Sequence, residues 1–225
     1  MKDLNFTDKP LIAGELLDII LQTGWYRSGD KVFTTDFVED FDCRYPVYWL
    51  RYHIARIKPT KSYQKIVQLN QNFTIDTIPF RLTDELEELH VRYFNHIPFL
   101  TAFTIEEMMG DIQNNIFDSR LIEVRDNGKL IAAGIFDKGK QSIAGIKNIY
   151  HPAYKKYSLG KYLLWIKYQY CLQNQITWYY PGYFSPGNPR FNYKTEFDNN
   201  ATEVCVPPEK EYWVPLNEFK KVLSI

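Results

Sequence analysis

Apolar positions along this chain recur at two periods, one near 3.6 residues and one near 2, and each change of period marks a predicted element. Leu16, Leu17, Ile20 and Leu21 give helical spacing over 14–23, and Gly24 follows as a C-cap. Trp25 to Asp30 reads as a turn. Residues 31–37 and 46–57 read as strands, the second rich in Val, Tyr, Trp and Ile, with an acidic loop over 36–42. Thr60 follows a strand-breaking Lys58-Pro59 and is placed to cap a helix through Leu69; residues 73–80 are extended again. Thr83 caps a stronger helix, with Asp84 and Glu85 in its first turn and Leu86, Leu89, Tyr93 and Ile97 as its stripe up to Pro98. Thr104 and Glu107 have capping-box spacing and open a short helix to about Asn114.

The second half alternates faster. Residues 121–125 and 130–136 are strands joined at Asn127-Gly128, a strong hairpin signal, and 142–150 is a third. Ser158 is expected to cap a helix whose Leu159, Tyr162, Leu163, Ile166 and Tyr170 share one face. A strand over 176–180, a Gly/Pro-rich loop over 181–189, an edge strand over 212–214 and a closing helix over 216–223 complete the chain. An antiparallel meander followed by a strand–helix–strand crossover predicts an α+β fold. The expected division is a small N-terminal α/β module over 1–80 and a larger domain over 81–225.

Composition adds little until charge is mapped onto this order. The chain has 225 residues, is neutral, and carries 17 Tyr and 15 Phe. Its apolar runs are shorter than a membrane span, and no apolar stretch follows Met1–Pro10, so neither a membrane partner nor a secretory leader is expected. Cys43, Cys171 and Cys205 are scattered, which predicts reduced thiols and a cytoplasmic setting rather than a disulfide framework. One thiol in the first half cannot hold a metal or iron–sulfur centre, and His53, His90, His96 and His151 show no ligand spacing, so no metal and no cofactor are expected. The charges themselves are segregated. Residues 138–195 contain Lys138, Lys140, Lys147, Lys155, Lys156, Lys161, Lys167, Arg190 and Lys194 and no acid; residues 44–75 are likewise basic, with Lys58, Lys61 and Lys65. A basic surface beside the N-terminus of the helix at Ser158 is suited to phosphate.

The element order resembles the GNAT acyltransferase layout. The loop that holds acyl-CoA pyrophosphate in that fold has its counterpart at Lys156-Tyr157-Ser158-Leu159-Gly160-Lys161-Tyr162, which keeps one glycine and lacks the expected basic slot. A narrower resemblance is carried by a series of motifs in order: Arg27-Ser28-Gly29-Asp30, Pro46-Val47, Lys58-Pro59-Thr60-Lys61-Ser62, the strand 130–137 ending in Asp137, Tyr150-His151-Pro152, Ser158-Leu159-Gly160-Lys161-Tyr162, and Gly182-Tyr183 with Tyr193-Lys194. The series is similar to the aminoacyl-tRNA–protein transferases of the N-degron pathway, the arginyl-tRNA–protein transferases and bacterial aspartate/glutamate leucyltransferases. The resemblance implies transfer of Leu or Arg from aminoacyl-tRNA to the N-terminal α-amino group of an acceptor protein. It implies catalytic roles for Asp137, Tyr150 and Tyr183. Lys58, Lys61, Lys155, Lys156, Ser158, Gly160, Lys161, Tyr162, Tyr180, Tyr193 and Lys194 would bind substrate and tRNA, with Tyr179 a further stacking candidate. Two other readings stay open: an acyl-CoA-dependent N-acetyltransferase, and a non-catalytic relative that binds RNA or a peptide N-terminus.

Overall fold

The computed structural model describes residues 2–4, 10–40, 43–99, 101–205 and 212–223. A three-stranded sheet of order β1-β3-β2 comes first, from β1 (Lys2–Leu4), β2 (Tyr26–Ser28) and β3 (Lys31–Thr34), with α1 (Gly14–Gln22) preceding β2. The expected turn over 25–30 is therefore mostly strand, closing at Gly29. A hairpin of β4 (Phe37–Asp40) and β5 (Cys43–Pro46) replaces the expected acidic loop over 36–42, of which residues 41–42 lie outside the described part. Exposed Glu39 stands opposite Arg44 across the ladder, so charge here marks a solvated strand rather than a loop.

The large sheet has the order β13-β12-β6-β11-β10-β9-β8-β7. Its strands are β6 (Tyr48–His53), β7 (Thr74–Pro79), β8 (Ser119–Asp126), β9 (Lys129–Lys138), β10 (Ser142–Tyr150), β11 (Trp178–Phe184), β12 (Thr202–Cys205) and β13 (Trp213–Pro215). The helices are α2 (Lys61–Leu69), α3 (Asp84–Phe94), α4 (Ile105–Met109), α5 (Leu159–Gln173), α6 (Asn192–Thr195) and α7 (Leu216–Leu223). The meander β7-β8-β9-β10 is antiparallel, and α5 crosses over to bring β11 parallel to β10. This is the GNAT-like mixed sheet flanked by helices that the element order predicts. β6 and β7 precede residue 80 and belong to this sheet, so both sides of the expected boundary share it.

Burial on both faces explains the near-continuous apolar run 130–136. Ile122, Val124, Ile131 and Phe136 pack with Leu159, Leu163, Ile166 of α5 and with Tyr63 and Ile66 of α2. Leu121, Ala133, Ile135 and Ile149 pack with Leu86, Leu89 and Tyr93 of α3 and with Ile105 and Met109 of α4. Because α5 lies between the sheet and α2, it buries more than the single stripe expected: Leu164, Lys167, Tyr168 and Cys171 are also inside.

Several boundaries differ from expectation for local reasons. The strand expected over 46–57 ends at His53, where Ile54–Arg56 tightens into a 3-10 turn. The helix expected to reach Asn114 stops at Met109, because Gly110 takes φ +67° and lies so close to the β2–β3 turn that a Cβ there would sit 2.6 Å from the Asp30 backbone nitrogen. The strand expected over 176–180 runs on to Phe184, so Pro181 to Phe184 is not loop.

Candidate active site

β10 and β11 pair only through Ser142–Trp178, Ile143–Tyr179 and Ala144–Tyr180. Beyond those residues the two strands continue without pairing to each other, β10 to Tyr150 and β11 to Phe184. Irregularities drive them apart: β10 shifts register against β9 between Gly145 and Lys147, and β11 shifts against β6 between Tyr179 and Gly182. Pro181 lies in that second shift, where a missing N–H costs no ladder bond. The wedge opens into a cleft of about 950 Å³, lined also by Phe99, by Thr101, Ala102 and Phe103, by α6 and by the first turns of α5.

Cations dominate its lining. Lys147, Lys155, Lys161, Lys167, Arg190 and Lys194 face it, and Glu107 is the one carboxylate among the described lining residues. Its Oε2 already accepts from the Phe103 N–H at 2.7 Å, completing the α4 capping box. Lys167 is fully buried and its Nζ donates to Asn148 Oδ1 (2.7 Å) and the Ile135 carbonyl (3.1 Å), with the Lys147 carbonyl at 3.5 Å, so it ties β9 to the bulged part of β10. Burial pushes its pKa down to about 7. Burial beside Arg190 likewise lowers Lys147 to about 8, and burial beside Arg190 and Lys147 lowers Lys194 to about 7. Lys194 Nζ donates to the Tyr183 carbonyl at 2.9 Å and stands over the Tyr183 and Phe191 rings. Lys161 is paired with Glu196 at 2.7 Å.

Aromatic rings interleave with these cations. Tyr26 stacks on Trp49 at 3.6 Å between ring centres, Tyr183 meets Trp49 edge-on at 5.1 Å, and Phe191 lies 5.0 Å from Tyr183. Burial pushes the Tyr193 hydroxyl up to about 12, so it stays a neutral donor at physiological pH.

Of the residues expected from sequence, the cleft gathers Tyr150, Lys155, Ser158, Gly160, Lys161, Tyr183, Tyr193 and Lys194, together with Tyr179. Others sit elsewhere. Asp137 is fully buried and does not line the cleft: its Oδ1 accepts from Arg27 Nη1 (3.0 Å) and Ser119 Oγ (2.6 Å), so it anchors Arg27, which does line the cleft. Burial raises the Asp137 pKa, and Arg27 opposes that rise. Tyr162 is core, and Tyr180 packs at 5.6 Å against Trp213 on the far side of the sheet junction. Lys156 lies over the Tyr157 ring, outside the cleft. Lys58 and Lys61 are exposed at the start of α2, which packs along α5. Ser158 takes the N-cap position of α5 in the left-handed region (φ 52°) and its hydroxyl makes no cap bond, contrary to the expected serine cap; its carbonyl accepts from the Lys161 and Tyr162 N–H groups. Sequence reasoning named no site role for Lys147, Asn148, Lys167 or Arg190. Lys167 was detectable as a lysine four residues from both Leu163 and Cys171 on a buried helix face.

Comparison with known proteins is decisive at this point. A family described as "Arginine-tRNA-protein transferase, C terminus" matches residues 45–203. The chain belongs to this family. Among the curated members of the wider group, the aspartate/glutamate leucyltransferase of Leptospira interrogans is 24% identical over 95% of this chain and 83% of its own length. That of Pseudomonas fluorescens is 23% identical over 87% and 81%. The Saccharomyces cerevisiae arginyl-tRNA–protein transferase 1 is 29% identical over 43% of this chain and 18% of its own. The solved structure of FemX, 8% identical, shares the fold at a TM-score of 0.53 over 93% of this chain and 70% of that one. The family match includes the cleft strands β10 and β11, the whole of α5, and the Gly182-Tyr183 and Tyr193-Lys194 pairs. Among the described residues no helix is long and apolar enough to cross a membrane.

Proposed function

We propose that this chain transfers a leucyl residue from leucyl-tRNA to the α-amino group of proteins that begin with Asp or Glu, marking them as N-degrons in the cytoplasm. The observation that carries the reading is the cleft opened where β10 and β11 part, in a chain of the transferase family: its lining interleaves cations with aromatic rings, and the N-terminus of α5 reaches it. The ester of an aminoacyl-tRNA is already activated, so the enzyme has chiefly to hold the reactants, stabilise an oxyanion and move a proton. The first turn of α5 with Lys155 and Lys161 suits the phosphates near the 3′ end of tRNA. Lys58 and Lys61 extend that track along α2. Tyr150, Tyr183 and Tyr193 offer rings and hydroxyls to the terminal adenosine and the reacting ester.

Charge distinguishes the donors. A cleft that gathers Lys147 and Arg190 repels an arginyl side chain, whereas the Trp49, Tyr183 and Phe191 rings take a leucyl one. The same cations suit the carboxylate of an acidic first residue on the acceptor. The names of the relatives with the broadest coverage agree with this choice. The test is a mass measurement: leucyl-tRNA or arginyl-tRNA is mixed with peptides that begin with Asp, Glu, Arg or Lys. One leucyl residue gained by the Asp and Glu peptides is the expected result. Gain only from arginyl-tRNA, or only on basic peptides, would reverse the donor and acceptor assignment.

A further inference from the structure

Resting on the proposed transfer reaction, one step needs a role that neither the motifs nor the family match assigns to any residue. The acceptor's α-amino group arrives as an ammonium and must lose a proton before it attacks. The cleft has few groups able to take it. No histidine lines it, Asp137 is shut behind Arg27, and the Glu107 carboxylate is bound to the Phe103 N–H. Among the lysines, Lys161 is held as an ammonium by Glu196 at 2.7 Å, and Lys167 is occupied by three oxygens of β9 and β10. Lys155 is exposed at the rim. Lys147 donates to Thr101 Oγ1 and stands 5.8 Å over Tyr93, on the side of the cleft away from β11.

Lys194 differs from all of these. It has one acceptor, the Tyr183 carbonyl, and no carboxylate partner. Around it stand Arg190 from the preceding turn, Lys147 from β10, Lys167 from α5, Tyr179 and Tyr183 from β11, Tyr193 beside it on α6, and the Tyr52 hydroxyl of β6 donating to the Lys194 carbonyl at 2.6 Å; the nearby carboxylate at the end of α6, Glu196, is paired with Lys161. A lysine so placed loses its proton readily, its pKa lowered by burial and by Arg190 and Lys147 to about 7, and its Nζ lines the cleft. Its Nζ lies over the bare backbone of Gly182, at the lip of the wedge between β10 and β11.

We propose that Lys194 is the catalytic base that takes the proton from the acceptor's α-ammonium. The ammonium nitrogen gives one proton to Lys194 Nζ. The freed amine forms a bond to the ester carbonyl carbon, and the carbonyl π electrons move to its oxygen. Collapse restores the C=O, breaks the bond to the ribose oxygen, and that oxygen takes the second proton carried by the nitrogen. Lys194 then releases its proton to solvent, so the net reaction yields an amide, free tRNA and one proton. An α-ammonium has a pKa of about 8, so a base of nearly matching strength works without a large driving force in either direction.

The test is single-turnover transfer from leucyl-tRNA to a saturating Asp-initiated peptide between pH 6 and 9, for the wild type, Lys194→Arg and Lys194→Ala. The wild-type rate is expected to level off above a pH of about 7. Lys194→Arg keeps the cation and loses the base. It should transfer about 100-fold more slowly at pH 7, with a rate still climbing through pH 8 as the acceptor amine itself ionises. The comparison is made at saturating leucyl-tRNA, so that a change in tRNA affinity does not enter the rate. Added small primary amines should recover activity in Lys194→Ala, the more basic amine recovering more. An Arg variant with the wild-type rate and pH profile, or an Ala variant that no amine rescues, would overturn the role of Lys194 and leave the transfer reaction standing. A wild-type protein that moves no leucyl group would overturn the reaction and the role together.

Discussion

Gly182 and Lys194 are twelve positions apart in sequence and adjacent in space. Gly182 takes φ +89°, and a Cβ there would sit 3.2 Å from Lys194 Nζ. The spacing of the two motif pairs, legible from sequence, is thus the signature of a lysine packed on naked backbone. The chemistry of that lysine was not legible, because it depends on burial and on Arg190 and Lys147, which arrive from separate elements. Asp137 shows the converse. Its place at a strand end could be read, but its partner Arg27 lies 110 residues upstream, and that pairing keeps the carboxylate off the cleft behind Arg27. Gly182→Ala should therefore strain the backbone and press on Lys194. We expect a loss of about 1–3 kcal/mol in urea unfolding. Transfer should fall further than this loss explains, since the amine is displaced, while affinity for leucyl-tRNA holds. An alanine variant with normal transfer would show that the close approach is incidental.

At the scale of elements, the caps separate what sequence patterns predict well from what they do not. Thr60, Thr83 and Thr104 were expected as caps, and each side chain accepts the N–H three residues on, from Tyr63, Leu86 and Glu107. Those signals are local, so no distant residue was needed to read them. Ser158 carries the same kind of signal, but the turn Pro152–Tyr157 delivers it to α5 in the left-handed region, turning its hydroxyl away from the helix. The same is true of β11: Pro181-Gly182 reads as loop because its role is to let two strands separate, and a separation has no one-dimensional pattern. A mutational contrast follows. Thr83→Ala should cost about 1 kcal/mol in urea unfolding, the usual worth of a cap. Ser158→Ala should cost less than about 0.5 kcal/mol, since no cap bond is lost and both side chains tolerate the left-handed region equally. Equal losses at the two positions would restore Ser158 as a cap.

Across the whole molecule, neutrality hides a division of labour. Acids are placed in helix first turns and in pairs such as Arg51–Glu203 at 2.6 Å, while cations gather around one cleft whose described lining holds a single carboxylate, Glu107. Holding Lys147 and Lys194 there opposes folding whenever both must be charged, and this gives stability a defined dependence on pH. Each has its folded pKa depressed by burial from the usual 10.5, to about 8 and about 7. Between those values and 10.5 the unfolded chain binds more protons than the folded one, so unfolding free energy rises with pH. The slope approaches about 1.4 kcal/mol per pH unit for each lysine, the full equivalent of one proton. Buried Tyr52 and Tyr179 have raised pKa values, so above their ordinary range near 10 the unfolded chain sheds protons first and the trend reverses. Urea unfolding at intervals from pH 7 to pH 9.5 should therefore show stability climbing with pH, against the usual plateau near neutrality. Lys194→Met should flatten the lower part of that climb and raise stability most at pH 7, where the wild type is forced to bury the charge or give it up. Stability that stays level from pH 7 to pH 9.5 would mean that the cleft solvates its lysines, and the Met variant would then gain nothing.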